Sequence, residues 1–176
     1  METRSWGANI YGQLGDGSTT NRNAPVQVGG LAGVAAVSTG NGYTVALKND
    51  GTVWAWGRNT NGQLGNGSAT NSSTPVQVSG LTGAATVSAG GGQTLASKDD
   101  GSIWSWGLNI NGVLGDGTTT SRKVSGLAGV ATVFAGNGYS VIIKNDGTAW
   151  AWGSNSFGQL GDGTTTNRMA PVQVNF

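Results

Sequence analysis

One twelve-residue motif, WGxNxxGQLGDG, recurs four times along this chain. Its copies read WGANIYGQLGDG, WGRNTNGQLGNG, WGLNINGVLGDG and WGSNSFGQLGDG, and they begin at Trp6, Trp56, Trp106 and Trp152. The intervals between them are 50, 50 and 46 residues. A regular period of about 20 to 50 residues indicates an array in which each repeat forms one structural unit and buries its apolar surface against its neighbours. This period constrains the fold more than any other feature of the sequence.

A second repeated unit of 24 residues begins at Val34, Ala84 and Val130 and ends in the next Trp-Gly pair. In the first copy, VAAVSTGNGYTVALKNDGTVWAWG, turn sequences separate three runs that are rich in β-branched and aromatic residues. Asp-Gly between two such runs predicts a β-hairpin, because the turn needs positive φ. Helix is excluded, since Gly and Asn interrupt every run before an apolar stripe can form. The predicted strands of the first copy are Val34–Ser38, Tyr43–Lys48 and Thr52–Gly57.

A fourth strand is predicted at Pro25–Val28, and its leading proline suits the first residue of an edge strand. Its equivalents are Pro75–Val78 and Pro171–Val174. Four antiparallel strands in about 50 residues, repeated along the chain, describe the blades of a β-propeller. The sequence therefore predicts an all-β fold built from four-stranded antiparallel blades.

The third strand of each unit is predicted to be apolar on both faces. Trp54 and Trp56 share one face of this strand, while Val53 and Ala55 share the other. Such a strand fits a sheet that packs between two neighbours, and the small side chain opposite the indoles allows adjacent blades to approach closely. The small residues at this position are Ala55, Ser105 and Ala151.

The third copy of the long motif is followed by a shortened segment. GDGTTTSRKVSGL, which begins at Gly115, is four residues shorter than GDGSTTNRNAPVQVGGL, which begins at Gly15. The shortened segment lacks the proline and retains only Val124 of the fourth strand. This difference predicts a ragged or three-stranded blade with one exposed strand edge.

Together these motifs resemble the regulator of chromosome condensation repeat family. The resemblance rests on the Trp-Gly pairs, GQLGDG, PVQV, VSxG and DGTVWAWG, and it covers nearly the whole chain. It implies a β-propeller, usually of seven blades. The family includes a chromatin-bound exchange factor for a Ran-type GTPase, plant ultraviolet photoreceptors with tryptophan clusters, and secreted bacterial binders such as a β-lactamase inhibitor. Because these members share a scaffold but no single activity, the resemblance does not select one function.

The chain departs from this family at several points. Where the family often has histidine after the glycine-rich turn, this chain has Tyr43, Gln93 and Tyr139. It has no long insertion that could act as a wedge into a GTPase, and no basic tail that could hold DNA. These departures weaken the interpretation as a nucleotide-exchange regulator of a small GTPase, which stays open as the alternative function.

The strand count predicts about 3.5 blades, in one propeller segment over residues 1–176. The repeats begin near residues 6, 56, 106 and 152 and give three complete blades and two further strands. An open arc of this kind leaves an apolar blade face and strand edges in water. We therefore expect a homodimer in which a second chain completes a ring of seven or eight blade positions.

The composition offers little for catalysis or for charged partners. Charged residues make up 10% of the chain, the net charge is +1, and there is no histidine or cysteine. The chain therefore has no long-range field that would attract nucleic acid or a membrane surface, and it has neither the commonest general base nor a thiol nucleophile. No apolar stretch approaches the length of a transmembrane helix. We expect no catalytic residue and no nucleic-acid or membrane partner, and the cellular compartment stays undetermined.

The charged and glycine-rich positions recur in every unit, so they favour turn geometry over a single active site. GQLGDG lacks the lysine and the helix of a phosphate-binding loop, and DGSTTN lacks the alternating acids of a calcium loop. We therefore expect no metal and no cofactor. Six of the seven tryptophans recur as strand residues, which favours core packing over a ligand-stacking platform or a photosensing cluster.

Function must then lie in the positions where the copies differ. The loops that follow the Trp-Gly pairs vary in sequence, and propellers place recognition on such loops. Exposed aromatic side chains beside arginine are typical of binding surfaces, although neutral drift of loops would give the same variation. The leading hypothesis is a non-enzymatic scaffold that self-assembles and binds an unidentified protein partner. The candidate interaction residues are Ala8, Ile10, Tyr11, Arg58, Thr60, Leu108, Ile110, Ser154 and Phe157.

Overall fold

The computed structural model describes residues 2–114, 122–124 and 127–175, and this part of the chain is built almost entirely from antiparallel β-strands. One 3₁₀ turn, Ile110–Gly112, accompanies them. The strands are β1 Arg4–Gly7, β2 Arg22–Gln27, β3 Val34–Thr39, β4 Tyr43–Lys48, β5 Val53–Gly57, β6 Ser72–Gln77, β7 Ala84–Ala89, β8 Gln93–Lys98, β9 Ile103–Gly107, β10 Arg122–Lys123, β11 Val130–Ala135, β12 Tyr139–Lys144, β13 Ala149–Gly153 and β14 Arg168–Gln173.

The strands form three sheets of four strands and one sheet of two strands. The first blade has the order β3-β4-β5-β6, the second β7-β8-β9-β10 and the third β11-β12-β13-β14. The remaining sheet, which we call the half-blade, contains only β1 and β2. These two strands correspond to the third and fourth strands of a complete blade. The prediction of three blades and two further strands is confirmed.

The proline strands begin earlier than the sequence predicted. β2 starts at Arg22, so Pro25 is its fourth residue and not its first. β6 and β14 likewise start three residues before Pro75 and Pro171. Each of these strands is the last in its sheet, so the proline lies on an edge, where its absent N–H costs no ladder hydrogen bond. The prediction of an edge strand is confirmed, and the prediction of its first residue is wrong.

The shortened segment after the third motif still supplies a fourth strand. β10 has two residues and pairs with β9 through Arg122↔Ser105 and Lys123↔Trp104. The second blade is therefore ragged, as predicted, and the three-stranded alternative is wrong. Val124 follows β10 and is buried in the core between the second and third blades. Residues 115–121 and 125–126 of the segment lie outside the described residues.

The apolar core lies between consecutive blades. The core between the first and second blades contains Val45, Val53 and Ala55 from one side and Trp106 from the other. The next core repeats this arrangement with Leu95, Ile103 and Trp152. The tryptophan face of each blade thus packs against the small-residue face of the preceding blade, as the alternation in the third strand predicted. Burial of such large side chains supplies most of the stability of an array that contains little helix or charge.

Candidate interaction surface

All nine candidate residues lie on one end of the blades, which we call the loop rim. The rim consists of the loops after β1, β5, β9 and β13 and the tight turns between the first two strands of each blade. Main-chain hydrogen bonds hold loop and turn together: Arg58 N donates to Gly42 O (2.8 Å), and Leu108 N donates to Gly92 O (2.9 Å). Ser154 N donates to Gly138 O in the third blade (2.8 Å). The variable positions are therefore anchored directly to the sheets.

A buried asparagine fixes the fold of three of the four rim loops. Asn9 is fully buried, and its Nδ2 donates to Asp16 Oδ1 (3.2 Å) and to the carbonyls of Ser18 (3.0 Å) and Thr20 (3.1 Å). Its Oδ1 accepts a hydrogen bond from Leu14 N (2.9 Å). The same arrangement recurs at Asn59 and Asn155.

Sequence reasoning did not single out these asparagines. One feature of the sequence could have revealed them: the long motif has asparagine at the same place in all four copies, although the flanking residues vary. A buried polar side chain must be hydrogen-bonded, and an amide can bridge several strands of a loop at once. The geometry of these loops therefore depends on a buried side chain that is not itself accessible to a binding protein.

The aspartates of the GDG turns belong to the same framework. Arg22 Nε donates to Asp16 Oδ2 (2.8 Å), and Arg168 Nε donates to Asp162 Oδ2 (2.6 Å). Burial raises the pKa of Asp16, but hydrogen bonds from Ser18 and Arg22 outweigh it and lower the pKa from 3.8 to about 2. These carboxylates are ionised and fully engaged at neutral pH. Their arrangement supports the interpretation of the recurring charges as turn structure.

Tyr11 and Arg58 are candidate residues of different units that the fold brings into contact. The Arg58 guanidinium lies 5.5 Å from the centre of the Tyr11 ring, and Arg58 Nε donates to Thr60 Oγ1 (3.1 Å). The Tyr11 ring covers Gly42, where an added Cβ would lie 2.7 Å from the ring. Tyr11 comes from the half-blade loop and Arg58 from the first blade, so this pair joins adjacent units.

The apolar candidates occupy equivalent loops of different units. The exposed fractions of Ile10, Ile110 and Phe157 are 63%, 56% and 93%. Leu108 is half-buried over Gly92, Ser154 is half-buried beside Gly138, and Ala8 and Thr60 are exposed. Three of the four rim loops thus expose an apolar side chain to water, and a partner that covered these side chains would gain from their desolvation.

The two ends of the array expose side chains that are buried inside it. Trp6 of the half-blade has an exposed fraction of 63%, whereas the equivalent tryptophans of the three blades are fully buried. At the other end, Tyr139 and Val141 are half-buried and Ile143 has an exposed fraction of 38%. We call the Trp6 surface the leading face and the surface of Tyr139, Val141, Ile143 and Val174 the trailing face. The prediction that the open arc exposes apolar surface is confirmed.

Each buried tryptophan also makes one hydrogen bond to the preceding unit. The indole Nε1 of Trp56 donates to Gln13 O (2.9 Å), and that of Trp106 donates to Gln63 O (3.0 Å). Trp152 Nε1 donates to Val113 O (2.7 Å). The contact between two units therefore combines one apolar insertion with one directional bond to the main chain.

This architecture of radially repeated four-stranded antiparallel sheets defines a β-propeller repeat protein. The chain belongs to the regulator of chromosome condensation (RCC1) repeat family, whose repeat matches residues 5–47, 50–97, 100–143 and 146–176. A second description of the same repeat matches residues 34–63 and 130–159. No curated protein sequence matches the chain. In the described part of the chain, no helix is long and apolar enough to cross a membrane.

Several solved structures share the fold. Human WBSCR16 is 25% identical, with a TM-score of 0.89, and the match covers 99% of this chain and 48% of that one. A chain in the structure of Kap60 bound to yeast RCC1 (Prp20) is 22% identical, with a TM-score of 0.84, and the match covers 99% and 45%. Prp20p from Saccharomyces cerevisiae, described with its binding properties to Gsp1p and histones, is 20% identical, with a TM-score of 0.83 and coverages of 99% and 46%. This chain therefore spans about half the length of the structures it matches.

Proposed function

We propose that this chain is a non-enzymatic propeller scaffold that binds a protein partner through the loop rim and assembles with a second copy of itself. The exposure of three apolar side chains on the rim, Ile10, Ile110 and Phe157, is the observation that carries the first part. Buried asparagines hold the loops of Ile10 and Phe157 in a fixed shape, so a partner would not have to pay for ordering them. A cation–aromatic pair, Tyr11 with Arg58, adds a polar anchor of the kind common in interfaces.

Binding through the rim can be tested with a triple variant. Ile10→Ser, Ile110→Ser and Phe157→Ser together remove the exposed apolar side chains of the rim and leave the loop asparagines unchanged. A matched control places Asn49→Ser and Asn145→Ser in the exposed turns at the opposite end of the blades. Proteins cross-linked to the immobilised chain are identified, and the leading one is purified and titrated. The proposal expects the control to bind normally and the triple variant to lose at least about tenfold in affinity; equal affinity would contradict it.

The second part of the proposal rests on the match between the leading and trailing faces. Inside the array, Val28 packs on Trp56 and Val78 on Trp106, and both valines are buried. The equivalent Val174 at the trailing face is only half-buried. A second copy would bring its Trp6 against Val174 and offer the indole N–H to Gln159 O, the position equivalent to Gln13 O. The internal interface would then be repeated between chains.

Self-association is tested by the mass in solution. A monomer has a mass of 17.6 kDa, and sedimentation equilibrium should report twice that value. Trp6→Ala should yield monomers, because the truncation removes the inserted side chain and its hydrogen bond. The rim triple variant serves as the control and should remain a dimer. A stable monomer for the unsubstituted chain at all concentrations would refute the dimer and leave rim binding untouched.

Nucleotide exchange on a small GTPase is the alternative function. The structures that share the fold at 20–22% identity support the scaffold and not this activity. Release of labelled GDP from a panel of small GTPases distinguishes the two functions. Acceleration by the unsubstituted chain, lost in the rim variant, would favour exchange; unchanged release together with a reconstituted partner complex favours the scaffold.

A further inference from the structure

Three cations of the described residues lie over aromatic rings, and one of them differs from the other two. Lys48 Nζ lies 5.8 Å from the centre of the Trp54 ring and also pairs with an aspartate carboxylate at 3.0 Å. Lys144 is placed in the same way, 6.0 Å from a ring centre and 3.3 Å from a carboxylate. Arg58 lies over the Tyr11 ring at 5.5 Å, but no carboxylate of the described residues pairs with it.

This lack of a carboxylate sets Arg58 apart from the other cations of the chain. Among the side chains that the structure describes, every other arginine and lysine pairs with an aspartate or glutamate at 2.6–3.8 Å. An arginine stays ionised at neutral pH, so the charge of Arg58 is balanced by water alone. A carboxylate brought by another molecule would therefore meet a cation that needs no existing ion pair to be broken.

The hydrogen bonds of Arg58 leave its terminal amino groups open to such a molecule. Its Nε donates to Thr60 Oγ1 (3.1 Å), and this bond lies at the surface. A guanidinium has five N–H donors, and the other four belong to the two terminal amino groups. Those two groups donate to no acceptor in the described part of the chain. Together they can hold both oxygens of one carboxylate.

The ring beneath the guanidinium is itself held in place. Tyr11 N donates to Gln13 Oε1 (2.9 Å), which fixes the main chain at the tyrosine. The Tyr11 ring rests on Gly42, where an added Cβ would lie 2.7 Å from it. The carbonyl of the same glycine accepts a hydrogen bond from Arg58 N (2.8 Å). One glycine thus positions both members of the pair, and a ligand would lose little affinity to their ordering.

The cation and the ring occur at one of the three junctions between consecutive units. At all three junctions, the second residue after the tryptophan donates its N–H to the carbonyl of the turn glycine (2.8–2.9 Å). The residues equivalent to Tyr11 and Arg58 are Asn61 with Leu108 and Asn111 with Ser154. Because these junctions form with neutral side chains at both positions, the packing of units requires neither the arginine nor the tyrosine.

The surroundings of the pair favour a carboxylate next to an apolar group as its ligand. Ile10 precedes Tyr11 in the same loop, and its exposed fraction is 63%. Phosphate groups are usually bound by clusters of arginines, whereas the described part of the rim offers a single unpaired guanidinium. The net charge of +1 gives no wider field that would attract nucleic acid or an anionic membrane.

We infer that Arg58, supported by Tyr11, binds an acidic side chain of the protein partner. The partner segment carries an aspartate or glutamate beside an aliphatic or aromatic residue, which covers Ile10. This inference rests on the proposal that the rim binds a protein, and it adds the chemistry that the partner must present. Tyr11 and Thr60 act as positioning residues, since they hold the guanidinium and leave its terminal amino groups to the ligand.

The preference for an acidic ligand is tested by selection from a displayed library of random peptides. The selection uses the unsubstituted chain, Arg58→Gln and Lys48→Gln. Lys48→Gln is the matched control, because it also removes one positive charge from an aromatic ring, at the opposite end of the blades. The unsubstituted chain and the control should enrich peptides with an acid beside an apolar residue, and Arg58→Gln should lose that preference. Enrichment without acids, or no enrichment by the unsubstituted chain, would overturn the inference.

A double-mutant cycle then tests for direct contact with the most enriched peptide. Replacing its acidic residue by the corresponding amide should weaken binding to the unsubstituted chain by about tenfold. The same replacement should have little effect on binding to Arg58→Gln, because the group that it contacts is absent. Arg58→Lys keeps the charge but not the fork and should restore only part of the affinity. Additive effects of the two replacements would show that the arginine does not hold the acid.

The triple variant of Ile10, Ile110 and Phe157 separates this inference from rim binding in general. If peptide affinity falls in the triple variant but does not depend on Arg58, the rim binds protein and the acidic anchor is refuted. If affinity depends on neither, both proposals fail. Loss of affinity in the triple variant, together with coupling between Arg58 and the acid, supports both.

Discussion

Replacing Asn59 with alanine tests whether one buried amide holds a rim loop in place. Asn59 is fully buried, and its Nδ2 donates to the carbonyls of Ser68 (2.9 Å) and Thr70 (3.0 Å). Its Oδ1 accepts a hydrogen bond from Leu64 N (2.9 Å), and Leu64 is itself fully buried. The substitution removes these three bonds and a fourth, from Nδ2 to Asn66 Oδ1 (3.2 Å), and shortens the side chain that bridges the loop.

The expected loss can be estimated from these contacts. The buried N–H of Leu64 would lose its acceptor, which costs about 1–3 kcal/mol. The carbonyls of Ser68 and Thr70 belong to exposed residues and can turn to water, so each of those bonds contributes only about 0.5–1.5 kcal/mol. Because water can occupy part of the space, the total loss of stability is smaller than the sum of the separate values. We expect Asn59→Ala to lower the free energy of unfolding by about 2–4 kcal/mol.

Urea denaturation, followed by tryptophan fluorescence and circular dichroism, measures this loss. Asn61→Ala is the control, because the Asn61 side chain makes only a long contact of 3.5 Å with Thr60 Oγ1, and it should change stability by less than about 0.5 kcal/mol. Amide exchange at Leu64 should accelerate in the Asn59 variant alone. A loss below about 0.5 kcal/mol for Asn59→Ala, with an unchanged slope of the urea transition, would refute the bridging role.

Three further outcomes follow from the packing and the charges. Trp106→Ala should cost about 3–5 kcal/mol in urea unfolding, because the indole is fully buried between two blades; a cost below 1 kcal/mol would contradict that burial. The folded pKa of Asp16, about 2, lies below its ordinary value of 3.8, so the stability that its ionised form contributes is complete above about pH 5 and is lost as the pH falls toward 2. Asp16→Asn should therefore flatten the fall in the urea midpoint between pH 5 and pH 2.5, and an unaltered pH profile would count against the assignment. Gly40→Ala should destabilise the chain, since the added Cβ would lie 2.5 Å from Gly90 O, whereas Gly29→Ala meets its nearest atom at 3.7 Å and should be near neutral; equal melting temperatures for the two variants would disprove this contact.

Strand identity was largely predictable because it depends on local alternation and turn chemistry. Tyr43–Lys48 was predicted residue for residue, since Asn-Gly and Asn-Asp-Gly turns limit it on both sides. The proline strand was misplaced because Arg22, Asn23 and Ala24 carry no β signal of their own. They enter β2 because Gly7 of β1 pairs with Arg22. A partner strand, and not local propensity, sets that boundary.

The candidate site, too, could be predicted from the sequence only in part. Sequence variation among the copies located the loops, and the structure places all nine candidate residues on one rim. The contact between Tyr11 and Arg58 could not be derived, because the two residues are far apart in sequence and meet only when adjacent units pack. The sequence shows asparagine at the same motif position in all four copies. Its role in holding the loops became clear only from the hydrogen-bond partners in the structure.

The sequence by itself determined the repeat, the strands and the two-faced packing of each blade, because these follow from periodicity. Tertiary structure decided how deeply each copy of a repeated residue is buried. Trp6 and Trp106 hold the same place in the same motif, yet the exposed fraction of one is 63% and the other is fully buried. The difference arises because a propeller unit buries its tryptophan against the preceding unit, and burial belongs to that contact and not to the residue. The leading face and the trailing face are the places where this chain leaves such a contact open to another molecule.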